Sequence, residues 1–218
     1  FFMKYYPIGL NIFEKKVLVV GGGNVASRKI ERLIEKGAVI TVISPEITDE
    51  IYDAAKKAKI KWIKNIYKIG DEDGFFAVFC AISSNEANKE TEEKLYKRCI
   101  KKNILINVAD KPALCTFTLP ALVSRGEFEI AVFTGGLSPL FARKIRESLE
   151  KIYGEEYTAF VKILGLVRKE VKKKNLPQKK NQEIFGKLLS SELFVMVKEK
   201  KYNDISLFLS DFLEEACK

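Results

Sequence analysis

The stretch Val17 to Ala26, VLVVGGGNVA, constrains the fold more than any other in this 218-residue chain. Four aliphatic residues in a row suit a strand buried on both faces. Three glycines follow where that strand must end, and VASRKIERLIEKG then carries the apolar spacing of a helix closing at Gly37. Glycines at such a point serve either an ordinary tight turn or a ligand that approaches the backbone more closely than a side chain would allow. The spacing Gly21-x-Gly23-x-x-Ala26, after a strand and opening a helix, is the context of a dinucleotide-binding turn. In that reading Gly21 permits the turn, Gly23 admits a pyrophosphate and Ala26 lets helix and strand pack closely. The free N–H groups near Asn24 and the positive end of the helix dipole would then face the phosphates.

The same alternation continues to about Asp110. AVITVIS reads as a second strand, KIKWIKN as a weaker third and FFAVFCAI as a strongly buried fourth. A helix cap at Ser84 or Asn85 leads into the helix EANKETEEKLYKRCIKK, and NILINVAD is a fifth strand. Buried strands alternating with helices predict an α/β fold, a Rossmann-type parallel sheet covered on both faces. The pattern then changes. CTFTLPALVSRGEFEIAVFTGG predicts antiparallel strands or a hairpin around RGE. SPLFARKIRESLEKIYG predicts a helix with Ser138 as N-cap and Pro139 at its first position. From Glu155 the pattern is helical, broken near NLPQ. Three regions result: a dinucleotide-binding domain over 1–112, a small α+β segment over 113–152, and a helical C-terminal domain over 153–218.

Composition removes several chemistries. The chain has no histidine, which excludes Ser-His and Cys-His catalysis and His-ligated zinc and leaves acid–base work to carboxylates, lysines or tyrosines. Cys80, Cys99, Cys115 and Cys217 form no C-x-x-C pair, so no metal site is expected, and scattered thiols suit the cytoplasm. No apolar run reaches the roughly 18 residues of a membrane span, and no secretory signal is expected. The net charge of +9 comes largely from lysines in runs such as VRKEVKKKN, which read as solvated helix faces. No nucleic-acid partner is therefore expected, and a polyanionic small substrate would benefit equally from the positive field.

Ligands of parallel sheets collect at the carboxyl ends of the strands. The second strand ends in Ser44, Pro45 and Glu46, with no arginine to welcome a 2′-phosphate, so NAD is expected over NADP. Glu46 can reach a ribose, or Ser44 and the backbone can substitute. Ser83 and Ser84 close the fourth strand, Ser84 reading equally as a helix cap. Asn107 and Asp110 close the fifth: Asn107 positions cofactor or substrate, or satisfies loop backbone. Asp110 is either a turn residue before Pro112 or a general base beside the hydride acceptor. In TGGLSP, Gly135 and Gly136 leave room for the edge of a ligand or form a plain connection, and N–H groups before the Ser138 helix can hold a carboxylate.

Three segments occur together in order: YPIGLNIFEKKVLVVGGGNVASRKIERLIEKGAVITVISPE, NVADKPALCTFTLPA and TGGLSPLFARKIRE. On them the chain resembles the precorrin-2 dehydrogenase family of siroheme synthesis, whose activity also forms the amino-terminal module of siroheme synthase. The resemblance is close from Tyr6 to Lys151 and loose over the tail. It implies NAD-dependent oxidation of precorrin-2 to sirohydrochlorin, with Asp110 as the catalytic residue. It also implies that Asn24, Val25, Pro45 and Glu46 border the NAD, and that the protein is a homodimer. One branch of the family carries a regulatory serine where Thr134 stands. Because precorrin-2 has many carboxylates, Arg125, Arg143, Lys144 and Arg146 become anion partners or plain surface charges. Two alternatives stay open: an enzyme that also inserts iron into sirohydrochlorin, and a non-catalytic NAD sensor.

Overall fold

A computed structural model describes residues 5–83 and 86–216. The expected cap at Ser84 or Asn85, and Cys217, lie outside the described residues. The chain divides into two compact units, Phe1–Leu119 and Pro120–Lys218. The hairpin and the helix after it thus belong with the helical tail.

The first unit is built on five parallel strands: β1 Lys16–Val20, β2 Val39–Ile43, β3 Lys61–Ile63, β4 Ala77–Cys80 and β5 Leu105–Val108. Their order is β3-β2-β1-β4-β5. The chain therefore starts at the centre, moves to one side through β2 and β3, and returns to the other for β4 and β5. The carboxyl ends of β1 and β4 form the switch point where open α/β sheets bind ligands. Parallel pairing requires long crossover connections. Three of them carry helices, α1 Asn24–Glu35, α2 Asp49–Lys56 and α3 Glu86–Lys101, whereas the β3-to-β4 crossover over 64–76 is an irregular loop. The sequence reading named no helix at α2.

Successive residues of β1 point to opposite faces and both are buried. Val17 and Val19 pack with Ala26, Ile30 and Phe79; Leu18 and Val20 pack with Leu95, Cys99 and Ile106. Burial on both faces is why the strands read as continuous aliphatic runs. Under β4 lies a buried carboxylate, Glu72, which accepts hydrogen bonds from the Tyr67 hydroxyl at 2.6 Å, the Gly70 N–H at 2.8 Å and the Arg98 guanidinium.

The second unit contains the antiparallel pair β6 Ala121–Arg125 and β7 Phe128–Val132, turning at Gly126 as RGE predicts. Five helices follow: α4 Pro139–Ile152, α5 Glu156–Lys173, α6 Gln178–Leu189, α7 Leu193–Lys198 and α8 Tyr202–Ala216. Phe160, Val167, Leu188, Leu193 and Val197 are central to their core. The break at NLPQ is realised by Asn175 in the left-handed region (φ 50°) and Pro177 just before α6. Among the described residues no helix is long and apolar enough to cross a membrane.

Candidate functional site

The glycine turn is shaped by crowding. Gly21 has φ 111°, and a Cβ there would lie 2.3 Å from the Ala81 carbonyl oxygen, so neither conformation nor space admits a side chain. A Cβ at Gly22 would lie 2.1 Å from the Glu46 carbonyl oxygen and 2.8 Å from Ser44 Oγ. The loop after β2 is stitched to the same glycine, since the Thr48 N–H donates to the Gly22 carbonyl at 3.0 Å. Gly22, which sequence reasoning left without a role, therefore joins the loops that follow β1 and β2. Its signal was the third consecutive glycine. Gly23 differs: nothing lies within 4 Å of a Cβ built there, so its missing side chain leaves open space. The first α-helical bond of α1 runs from the Ser27 N–H to the Gly23 carbonyl. No side chain caps this N-terminus and no acidic residue stands in its first turn. The N–H groups of Asn24, Val25 and Ala26 thus lack helical partners, on a turn whose Asn24 and Val25 are exposed while Ala26 is buried. Open space beside uncapped N–H groups fits a dinucleotide pyrophosphate.

At the end of β2, Ser44 is buried and its hydroxyl donates to the Glu46 carbonyl at 2.5 Å, while its own carbonyl accepts from Trp62 Nε1 at 3.0 Å. Ser44 thereby shapes the loop and leaves Pro45 and Glu46 exposed. Past β4, Ser83 is exposed and accepts from Asn88 Nδ2 at its carbonyl (2.8 Å) and hydroxyl (3.3 Å).

Asp110 stands just past β5, exposed, with φ 57°. Aspartate tolerates this left-handed conformation better than most residues, and its surroundings hold it there. The Ala109 N–H donates to the Cys80 carbonyl at 2.8 Å, and the Lys111 N–H reaches the Val108 carbonyl at 3.3 Å. The Lys111 ammonium pairs with the carboxylate of Glu92, which is buried in α3. Cys115 Sγ accepts from the Val108 N–H at 3.2 Å, and its proton faces the Val108 and Lys111 carbonyls, each at 3.3 Å. Burial pushes the Cys115 thiol above its ordinary pKa, although the Val108 N–H and the charge of Lys29 pull the other way. It is a protonated clamp. Thr116 completes the edge: its N–H donates to the Ile106 carbonyl at 2.8 Å and its Oγ1 accepts from the Ile106 N–H at 2.9 Å.

Asn107 is buried and fully occupied. Its Oδ1 accepts from Lys29 Nζ at 3.0 Å, and its Nδ2 donates to the Phe117 carbonyl at 3.2 Å. The amide can face only this way, because an ammonium has no acceptor and a carbonyl no donor. Lys29 was missed by sequence reasoning. Ala26, Ile30 and Leu33 mark the buried stripe of α1, and position 29, three after Ala26, falls on it. A lysine on an inner stripe was the available signal. Burial moves the Lys29 pKa down from its ordinary value, and the negative charge of Asp110 opposes that.

In the second unit, Gly135 and Gly136 have φ 64° and 81° with nothing within 4 Å of a built Cβ. The Leu137 N–H donates to the Thr134 carbonyl at 3.1 Å and the Ser138 N–H to Thr134 Oγ1 at 3.3 Å. The expected serine cap is corrected here: Ser138 occupies the N-cap position, but its hydroxyl makes no capping bond. Thr134 does the local work, its Oγ1 also lying 3.2 Å from the Ser138 carbonyl. The Leu137 and Ser138 N–H groups are thus taken internally, and the open ones of α4 itself begin at Leu140. Arg125 binds the Ser124, Glu150 and Tyr153 carbonyls. Arg146 pairs with Glu150 and Glu147. Arg143 is largely exposed and pairs with Glu147 one turn on. Among the described residues no three acidic or cysteine side chains are grouped to hold a metal ion.

Residues 8–121 match the family described as "Putative NAD(P)-binding". A precorrin-2 dehydrogenase of Priestia megaterium is 29% identical over 198 residues, which cover 90% of this chain and 96% of that protein. A siroheme synthase of Nitrosococcus oceani is 34% identical over 172 residues, 79% of this chain but only 36% of that protein. The solved structure of SirC, precorrin-2 dehydrogenase, superposes with a TM-score of 0.77 at 26% identity, covering 97% of this chain and 98% of that one.

Proposed function

Because the chain belongs to the NAD(P)-binding family matched over residues 8–121, we propose that it is an NAD-dependent precorrin-2 dehydrogenase of siroheme synthesis. The observation that carries this reading is the meeting, at the carboxyl edge of one parallel sheet, of an open glycine turn and a rigidly held aspartate. The near full-length likeness to precorrin-2 dehydrogenases supports the same substrate.

Gly21 and Gly22 fix the turn, and Gly23 with the N–H groups of Asn24, Val25 and Ala26 would hold the pyrophosphate. Pro45 and Glu46 would border the adenosine ribose. The exposed Glu46 carboxylate, with no arginine beside it, favours NAD over NADP. Ser83 would border the other side; Ser84 rests on sequence alone. When bound, NAD⁺ supplies an acceptor for one hydride. Asp110 takes the proton that leaves with it, so precorrin-2 gives up two electrons and two hydrogens as its conjugation extends to sirohydrochlorin. No histidine is needed. The turn Thr134 to Ser138 and the exposed Arg143 are proposed to meet the carboxylated macrocycle, with the open N–H groups starting at Leu140.

A cytoplasmic homodimer is part of this reading. Leu137, Leu140 and Phe141 are exposed on the second unit and suit an interface between copies. The free thiols of Cys80, Cys99 and Cys115 suit a reducing compartment.

The test is an anaerobic incubation of the protein with precorrin-2 and NAD⁺, following NADH and sirohydrochlorin by absorbance. Formation of both in equal amounts is expected, with NADP⁺ a poorer oxidant. Binding of NAD⁺ without either product would overturn the reading in favour of a sensor. Adding Fe²⁺ afterwards asks whether iron insertion accompanies the oxidation.

A further inference from the structure

Lys29 is a half-buried cation whose ammonium donates to a neutral amide. Its Nζ lies 3.0 Å from Asn107 Oδ1 and 5.6 Å from the centre of the Phe79 ring. Among the described residues no carboxylate lies within ion-pairing distance of it. A charge placed there without a direct salt bridge costs stability, so its value must lie in what it holds. The contacts form a chain of short steps. Lys29 grips Asn107, Asn107 reaches the Phe117 carbonyl at 3.2 Å, and Asn107 Nδ2 also points at Cys115 Sγ at 3.7 Å. Cys115 in turn holds Val108 and Lys111, the residues on either side of the turn that presents Asp110.

We propose that Lys29 is a positioning residue of the reaction centre: its ammonium orients Asn107 and, through Asn107 and Cys115, fixes the left-handed turn that carries Asp110. The inference rests on the reading of Asp110 as the base. A base must stand within hydrogen-bond reach of the proton it removes, and small displacements are costly. α1 therefore serves the site twice. Its N-terminus faces the cofactor, and its second turn, through Lys29, aligns the base on the far strand.

The experiment compares Lys29→Met and Lys29→Arg with the wild-type chain, each also in an Asp110→Asn background. In the wild-type background Lys29→Met should lower kcat by roughly tenfold or more, while the Kd for NADH stays within about twofold. Lys29→Arg, which keeps charge and donors, should recover most of the loss. In the Asp110→Asn background Lys29→Met should cost almost nothing further, since two residues acting as one unit are not additive. An unchanged kcat, an equal loss in both backgrounds, or a parallel loss of NADH affinity would each overturn the inference. Amide hydrogen exchange at Val108, Ala109 and Lys111 reads the turn without any turnover. Faster exchange in Lys29→Met supports the role, and unchanged exchange overturns it. A wild-type protein that oxidises no precorrin-2 yet shows this exchange effect would sink the proposed function alone.

Discussion

Each unit has a pair of adjacent glycines at a turn before a helix, and the two pairs are glycine for opposite reasons. At Gly21 and Gly22 a Cβ would strike backbone carbonyls at 2.3 and 2.1 Å. At Gly135 and Gly136 it would strike nothing, and only the positive φ asks for glycine. The polar groups follow the same division. The first unit buries Glu72, Glu92 and Asn107 and satisfies each within the protein, whereas among the described residues of the second unit no polar or charged residue is buried. One unit is built to hold atoms in place; the other tolerates adjustment. The lesson is that a glycine pair in sequence does not say whether it is filling a gap or bending the chain.

The sharpest test of that contrast is Asp110→Asn, which should keep the fold while lowering kcat by about 10²- to 10⁴-fold, read as NADH formation. A loss under tenfold would remove the reason for the first unit's rigidity. Next, Gly22→Ala should destabilise by about 3 kcal/mol or more in urea unfolding, because backbone on both sides of the turn must shift. A cost near 1 kcal/mol would mean that this turn is as adaptable as the second.

The buried carboxylate gives a smaller effect with a pH signature. Burial alone would raise the Glu72 pKa, but hydrogen bonds from Tyr67, Arg98 and the Gly70 N–H outweigh it, and the net direction is down. A lowered folded pKa means that the stabilisation is complete above the ordinary glutamate value and disappears as pH falls through the lowered one. Glu72→Gln should therefore cost about 2 kcal/mol at neutral pH and less in acid. A cost independent of pH would show that packing, not charge, is what matters there.

Gly135→Ala should cost only about 1 kcal/mol, the ordinary cost of a left-handed alanine. A larger loss would break the comparison outright. Smallest of all, Arg143→Ala should move Tm by roughly 1 °C or less, since an exposed i,i+4 pair contributes little. Its effect on the KM for precorrin-2 separates a substrate contact from a surface charge.

Much of this architecture was legible because it follows from local chemistry. Continuous aliphatic runs gave β1, β2 and β4; the glycine turn and Ala26 gave the start of α1; RGE gave the hairpin. What escaped depends on residues brought together from far apart. Cys115 looked like filler until β5 placed Val108 beside it. Lys29 looked like one of many lysines until α1 turned it toward a strand 78 residues away. Gly22 acquires a purpose only when the loop after β2 folds against it.

The sheet has one more property, concerning solutions rather than catalysis. Exposed strand edges are templates on which other chains can add, the route to β-aggregates. Here one edge strand, β3, is only three residues long. The other, β5, has its outer face already taken by Cys115 and Thr116, which meet the backbone of Val108 and Ile106. The segment that steadies Asp110 thus also seals the sheet. Little free edge of the five-stranded sheet remains to recruit a second molecule strand to strand.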